Sequence, residues 1–322
     1  MSEKKQLDEY RWKLRLFASV DLVGSTKYKV DRVAKSGQAP EWVPTFREFF
    51  EAFPTVLQFA YDSLPANCPA CDSRFEQWKF VGDEILFCVE IRQVGDAISH
   101  LCALKTAARE FPDRFWRKKE IPLKLKAAAW IAGFPVTNQE VHIPLPRSGM
   151  LLDFVGPAMD LGFRVARYAD ERRLAISADL ALLLLDGVDA HRLDRRHFHI
   201  HLAELTPLKG AIFDEPYPIL WVDMRDGEPV LVEKLLGVKR DFRSDDLKDY
   251  LGGFLDNTRG LRRPFIDGCG DARYNSPDPE LAVVRERMQA EESYYTTESG
   301  EPKAEGKAKP PDEPALPPSE KS

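Results

Sequence analysis

The ordered pattern begins with an apolar run from Leu14 to Val20 that predicts a buried strand, which Val23-Gly24-Ser25-Thr26 then interrupts. From Pro44 to Leu64 the period changes. Phe46, Phe49, Phe50, Phe53, Leu57 and Phe59 recur at helical spacing, and Pro54 is expected to kink or divide that helix. Two strand-like runs, Phe75 to Val81 and Glu84 to Glu90, flank Gly82-Asp83, a tight hairpin signal. A helix over Val94 to Phe111, a strand over Leu123 to Ala132, a proline-rich loop from Pro135 to Pro146 and a helix from near Gly156 to near Ala169 follow. Arg173 to Ile176 predicts a short strand, Ser177 or Asp179 a cap for a helix over Leu180 to Leu185, and Phe198 to Leu202 and Tyr217 to Asp223 two further strands.

The order β-α-β-β-α-β-α is the ferredoxin-like pattern, an α+β fold whose central antiparallel sheet carries helices on one face, here with additions. The chain divides into an N-terminal arm (1–11), one main domain (12–225), an extension (226–295) that is charged and weakly periodic with short helices, and a tail (296–322). The tail is Glu, Lys, Pro, Ala and Ser, with too few apolar groups to offset the entropy of ordering, and is expected to be disordered. No internal repeat is evident.

With 322 residues, 43% of them hydrophobic, the chain can bury one core of about 200 residues. The net charge of −6 leaves no general basic field to hold nucleic acid or an anionic bilayer, but is compatible with a small anionic substrate in a local basic pocket. The N-terminus is charged from the start, and the longest apolar run, Leu180 to Leu185, is far too short to span a bilayer. The expectation is a soluble cytoplasmic protein whose five scattered cysteines are reduced thiols.

Asp21 and Asp83 stand at the ends of strand-like runs. Two carboxylates so placed can hold two divalent cations, one to activate an attacking hydroxyl and one to neutralise a leaving pyrophosphate. Just after Asp21, the turn Gly24-Ser25-Thr26 runs into a helix and offers backbone N–H groups and hydroxyls to phosphate oxygens, although Gly-Ser-Thr is also an ordinary helix start.

In chain order, Phe17-Ala-Ser-Val-Asp21-Leu-Val-Gly-Ser-Thr26, Lys79-Phe-Val-Gly82-Asp83, Asp153-Phe-Val-Gly156-Pro-Ala-Met-Asp160-Leu-Gly-Phe-Arg164 and Leu208-Lys209-Gly210 resemble the motifs of the class III nucleotidyl cyclases. The resemblance spans roughly Leu14 to Asp223. It implies that Asp21, Asp83 and the carbonyl of Leu22 bind two Mg²⁺ or Mn²⁺ ions, and that Lys79 and Asp153 read the base. It further implies that Arg164 stabilises the transition state and Lys209 the triphosphate, in a head-to-tail homodimer where one subunit holds the metals and the other contributes Arg164. In such a reaction the ribose 3′-hydroxyl attacks the α-phosphorus in line and pyrophosphate leaves. Asp160 departs from the pattern, since the family usually carries asparagine there to orient the ribose, so that either the ribose is held differently or Asp160 tunes the arginine. A carboxylate is acceptor-only, and one turn before Arg164 it is expected to pair with that guanidinium.

Lys79 donates and Asp153 accepts, which matches an edge of adenine, cytosine or uracil alike. Bulky aromatics such as Trp78, Phe80, Phe154 or Tyr61 could exclude a purine, although strand alternation predicts that Trp78 and Phe80 face away from Lys79. The short stand-alone architecture and Asp160 are most similar to the bacterial pyrimidine cyclases of Pycsar antiphage defence. That likeness implies UTP as substrate, cyclic UMP as product and a separate effector as its target, with cyclic CMP as the near alternative. An adenylate or guanylate cyclase, a diguanylate cyclase (from Val81-Gly-Asp-Glu84) and an inactive nucleotide-binding homologue remain as other readings. Cys68-Pro-Ala-Cys71 has zinc-knuckle spacing without a second pair nearby, and His197, His199 and His201 alternate along one strand face, more readily a solvated edge than a metal site. The arginines around Arg240 to Arg243 and Arg259 to Arg263 read as surface charge or dimer contacts.

Overall fold

The computed structural model describes residues 11–32, 39–145, 149–193, 199–208, 210, 212, 215–224, 243–277, 280–284 and 286. The elements are β1 (Lys13–Val23), α1 (Ser25–Asp31), α2 (Val43–Asp62), β2 (Glu76–Val81), β3 (Glu84–Ile91), α3 (Asp96–Phe111), β4 (Lys124–Phe134), β5 (Gln139–Pro144), β6 (Met150–Val155), α4 (Pro157–Ala166), β7 (Arg173–Ile176), α5 (Ala178–Ala190), β8 (Ile200–Pro207), β9 (Pro216–Asp223) and α6 (Ser244–Asn257). The fold is α+β. Seven strands form one sheet in the order β2-β3-β1-β4-β7-β9-β8, antiparallel except where β4 meets β7 in parallel. The first four strands and their helices make the expected βαββαβ unit.

Alternation along β1 generates both faces of the sheet. Leu14, Leu16, Ala18 and Val20 enter the main core with Phe49, Phe53 and Leu57 of α2, Leu101 and Leu104 of α3, and Leu180 and Leu184 of α5. Phe17, Ser19 and Asp21 take the opposite face. There Phe17 joins Leu86, Cys88, Trp130, Phe134 and Phe154 in a smaller aromatic cluster. Pro54 does not divide α2, which runs unbroken from Val43 to Asp62. A proline inside a helix costs about 3 kcal/mol, and the fully buried stripe of Phe49, Phe53 and Leu57 outweighs it.

The stretch expected as a proline-rich loop contains a strand. β5 pairs with β6 as a separate two-stranded sheet, because Val141 and Ile143 alternate with Glu140 and His142 between the flanking prolines. Glu140 anchors this hairpin by accepting from Arg15 Nε at 2.6 Å.

The residues past Glu228, expected to carry weak periodicity, hold a 14-residue helix. Its Leu247, Leu251, Phe254 and Leu255 enter the main core. Buried Asp186 of α5 ties the segment down, accepting from Arg273 Nη1 at 2.5 Å, Tyr274 Oη at 2.6 Å and Lys248 Nζ at 3.0 Å. Trp12 Nε1 donates to the Phe265 carbonyl at 2.7 Å, so both ends of the described chain meet on one side. Among the described residues no helix is long and apolar enough to cross a membrane. The N-terminal arm, except Arg11, and the tail lie outside them.

Candidate active site

Asp21 stands on β1 in register with Glu84 of β3 on one side and Lys126 of β4 on the other. Its Oδ2 is 2.9 Å from Lys126 Nζ, and its Oδ1 accepts from its neighbour's amide, Leu22 N, at 2.7 Å. Glu84 is held by the Ser19 hydroxyl. Burial raises the pKa of Glu84 above the usual carboxylate range, Ser19 opposes that, and the negative charges of Asp21 and then Asp83 add to it, with Lys126 working against them. Asp83 occupies the β2–β3 turn, 3.8 Å from Lys29 Nζ of α1. Ser19, Asp21, Glu84 and Lys126 line a cavity of about 130 Å³ with Phe163 of α4 and Arg167 just past its end.

The turn after Asp21 forms the first turn of α1, with Gly24 in the left-handed region (φ 84°). Ser25 is buried and Thr26 exposed, so only the second hydroxyl faces solvent.

Lys79 Nζ and Asp153 Oδ1 are 2.7 Å apart, each side chain about 30% exposed. Sequence separation gave no sign of this contact across 74 positions; the β5–β6 hairpin folds over the sheet and delivers it. A β-bulge between Gln77 and Lys79 overturns the expected alternation for Trp78. One extra residue in the strand puts two successive side chains on one face. The Trp78 ring therefore lies 4.0 Å from Lys79 Nζ, packs on Phe17 and Phe154, and donates Nε1 to the Leu152 carbonyl at 3.0 Å. Phe80 does face away, against Phe50 of α2. Tyr61 is not near the pair: it is buried beneath the opposite face, its hydroxyl 2.7 Å from His100 Nδ1.

Two glycines set α4 in place. Gly156 opens it at φ 144°, where a Cβ would meet Asn138 Oδ1 at 2.4 Å. Asn138 fills that space by accepting from Ala158 N at 3.0 Å and donating to the Gly133 carbonyl at 2.9 Å. Gly162 lies on the Trp130 indole, which a Cβ would approach to 2.3 Å. Asp160 is exposed and Arg164 half-buried. Among the described residues no ion pair joins them, contrary to expectation; the Arg164 guanidinium instead lies beside Gly210, where an added Cβ would be 3.7 Å from Nη2. Lys209 lies outside the described residues, as does His197. His199 Nδ1 and His201 Nε2 are 3.2 Å apart, with His201 stacked on Trp221.

Glu84, Lys126 and Arg167 were missed in the sequence. Lys126 had a signal, a second lysine after Lys124 at the head of a strand that is apolar beyond it, and it ends up opposite Asp21. Cys68 and Cys71 diverge to different partners. Among the described residues no group of three or more His, Cys, Asp or Glu is gathered to hold a metal. The fit of divalent cations rests on hard oxygen donors: the carboxylates of Asp21 and Asp83 and the carbonyl of Leu22. Mg²⁺ is commonly held by one or two carboxylates completed by substrate phosphates, so this donor set suits it.

No family model and no curated protein matches the chain. Among solved structures, the chain is similar to the adenylyl cyclase CyaB from P. aeruginosa, at 14% identity and TM-score 0.48, covering 66% of this chain and 94% of that one. It is similar to the guanylyl cyclase Cya2, at 19% identity and TM-score 0.46, covering 68% and 96%. It is also similar to the guanylate cyclase domain of RhGC from Catenaria anguillulae in complex with GTP, at 10% identity and TM-score 0.45, covering 66% and 97%.

Proposed function

We propose that this chain is a nucleotidyl cyclase that converts a nucleoside triphosphate, UTP in first place, to its 3′,5′-cyclic monophosphate and pyrophosphate. The observation that carries the reading is a shared sheet face. On it, Asp21 of β1 shares a face with a donor–acceptor pair, Lys79 and Asp153 at 2.7 Å, beside the Trp78 ring, while Asp83 stands in the adjoining β2–β3 turn. The ordered series of motifs in the sequence supports it.

Asp21, Asp83 and the Leu22 carbonyl would hold two Mg²⁺ or Mn²⁺ ions, which supply acidity to the attacking 3′-hydroxyl and charge neutralisation to the departing phosphates. Lys79 and Asp153 exchange their mutual ion pair for the donor and acceptor of a base edge. Trp78 narrows the space beside them, which favours a pyrimidine over a purine. Arg164, and Lys209 after Leu208, offer donors to phosphate oxygens. Thr26 and the N–H groups after Gly24 would meet the triphosphate. Asp160, exposed one turn before Arg164, would contact the ribose.

Within one chain Arg164 is directed to Gly210, whereas Phe163 and Arg167 line the Asp21 cavity. This supports a composite site in which a second copy contributes Arg164, in a homodimer with two equivalent sites. The product would act on a separate effector as a second messenger in antiphage defence, a role that rests on the sequence resemblance.

The test is incubation with Mn²⁺ and each of ATP, GTP, CTP and UTP, with products identified by mass spectrometry. Cyclic UMP is expected. A product from ATP alone would remove the pyrimidine assignment, and no cyclic product would remove the cyclase assignment. Asp83→Ala, at an exposed turn, should abolish turnover with an unchanged circular dichroism spectrum; retained turnover would show that another carboxylate does the work.

A further inference from the structure

The α2–β2 connection brings two cysteines to one cavity on the far side of the molecule from the aromatic cluster. Cys68 and Cys102 line it together with Lys105, Thr106, Arg109 and Glu110 of α3. Cys102, Lys105, Thr106 and Arg109 follow one another at helical spacing, so one face of α3 presents a thiol and two cations toward the loop that carries Cys68. Cys68 is hydrogen-bonded to Cys102, and its Sγ is 3.5 Å from Ser99 Oγ in the early part of the same helix. Both thiols are half-buried and reduced.

We propose that Cys68 and Cys102 are an oxidant-sensitive thiol pair that closes to a disulfide when the protein meets a peroxide. The Cys68 thiolate attacks one peroxide oxygen and the O–O bond breaks; with one proton taken up, water leaves and Cys68 becomes a sulfenic acid. The Cys102 sulfur then attacks that sulfur, the S–O bond breaks, and the hydroxide leaves as water with the proton of Cys102. Two thiols lose two electrons, and hydrogen peroxide gains them on becoming two waters.

The geometry selects this pair over the other cysteines. Cys71, though only three residues away, turns to Ser73 and to His100 Nε2 at 3.5 Å, and burial pushes its thiol up. Cys88 is buried in the aromatic cluster and raised to about 11, chiefly by that burial. Cys68 moves the other way, to about 7, drawn down first by the hydrogen bond from Cys102, against burial, with help from Ser99. Lys105, Arg109 and Glu110 line the same cavity.

The experiment treats the full chain with hydrogen peroxide, blocks remaining thiols with iodoacetamide and maps the peptides by mass spectrometry. Cys68 and Cys102 peptides should appear joined within one chain, lighter by two hydrogen atoms than their sum, and separate again on reduction. In Cys102→Ser the joined species should be lost and Cys68 should accumulate sulfinic acid; in Cys68→Ser, Cys102 should remain alkylatable. A Cys68–Cys71 bond, a bond between chains, or equal loss of all the cysteines in the unsubstituted protein would overturn the proposal. Both variants change half-buried positions, and an unaltered circular dichroism spectrum guards against misfolding.

Discussion

Gly162→Ala tests whether the contact between α4 and the sheet sets the position of Arg164. The added Cβ would fall 2.3 to 2.4 Å from three atoms of the Trp130 indole, whereas ordinary contact begins near 3.4 Å. Trp130 is 1% exposed and packs against Phe17 and Phe163, so it has no rotamer to retreat into. The helix must move by about 1 Å instead. Overpacking of this severity costs about 3 kcal/mol, at the upper end of the usual range. Alanine returns about 1 kcal/mol through its better helix propensity, so urea denaturation should register a net loss of about 2 kcal/mol. Arg164 lies two residues on and would shift with the helix. A misplacement of about 1 Å can cost roughly a hundredfold in rate, to be read as turnover of the preferred triphosphate. Adding Trp130→Leu should restore part of the rate by making room. A single variant as stable and as active as the parent would refute the reasoning, and lost stability with full activity would separate the packing of α4 from the role of Arg164.

His100 offers a second test, on pH. Burial lowers its pKa from the usual 6.5 to about 3, so the unfolded chain takes up a proton that the native state refuses. Stability contributed by the neutral ring is complete above pH 6.5 and falls as pH drops toward 3, by about 3 kcal/mol at pH 4. His100→Gln should flatten that part of the stability–pH profile whatever its own packing cost, and parallel profiles for the two proteins would sink the idea. Asp186→Ala should cost about 2–3 kcal/mol by leaving Arg273, Tyr274 and Lys248 without their shared acceptor. It should also expose the segment from Thr258 to Tyr274 to limited proteolysis; unchanged cleavage would mean that the apolar face of α6 alone holds it.

The one-dimensional pattern determined much of the frame. The apolar run from Leu14 to Val20 marked β1 with Asp21 at its end, and Gly82-Asp83 marked the turn, because hydrophobic pattern and turn chemistry are local properties of the chain. It also made Asp21, Lys79, Asp153 and Arg164 worth following. Several features were illegible there because they depend on meetings between distant segments. The β5–β6 hairpin carries Asp153 onto Lys79, the bulge before Lys79 turns Trp78 toward it, and Lys126 faces Asp21 only through the register of β4. No ion pair with Asp160 forms among the described residues, and Arg164 lies beside Gly210, since a helical spacing permits an ion pair but tertiary packing decides whether it is made. The core positions of α6 became apparent only where α5 offered them a surface. A sequence specifies which side chains can share a face, and packing selects which of them touch.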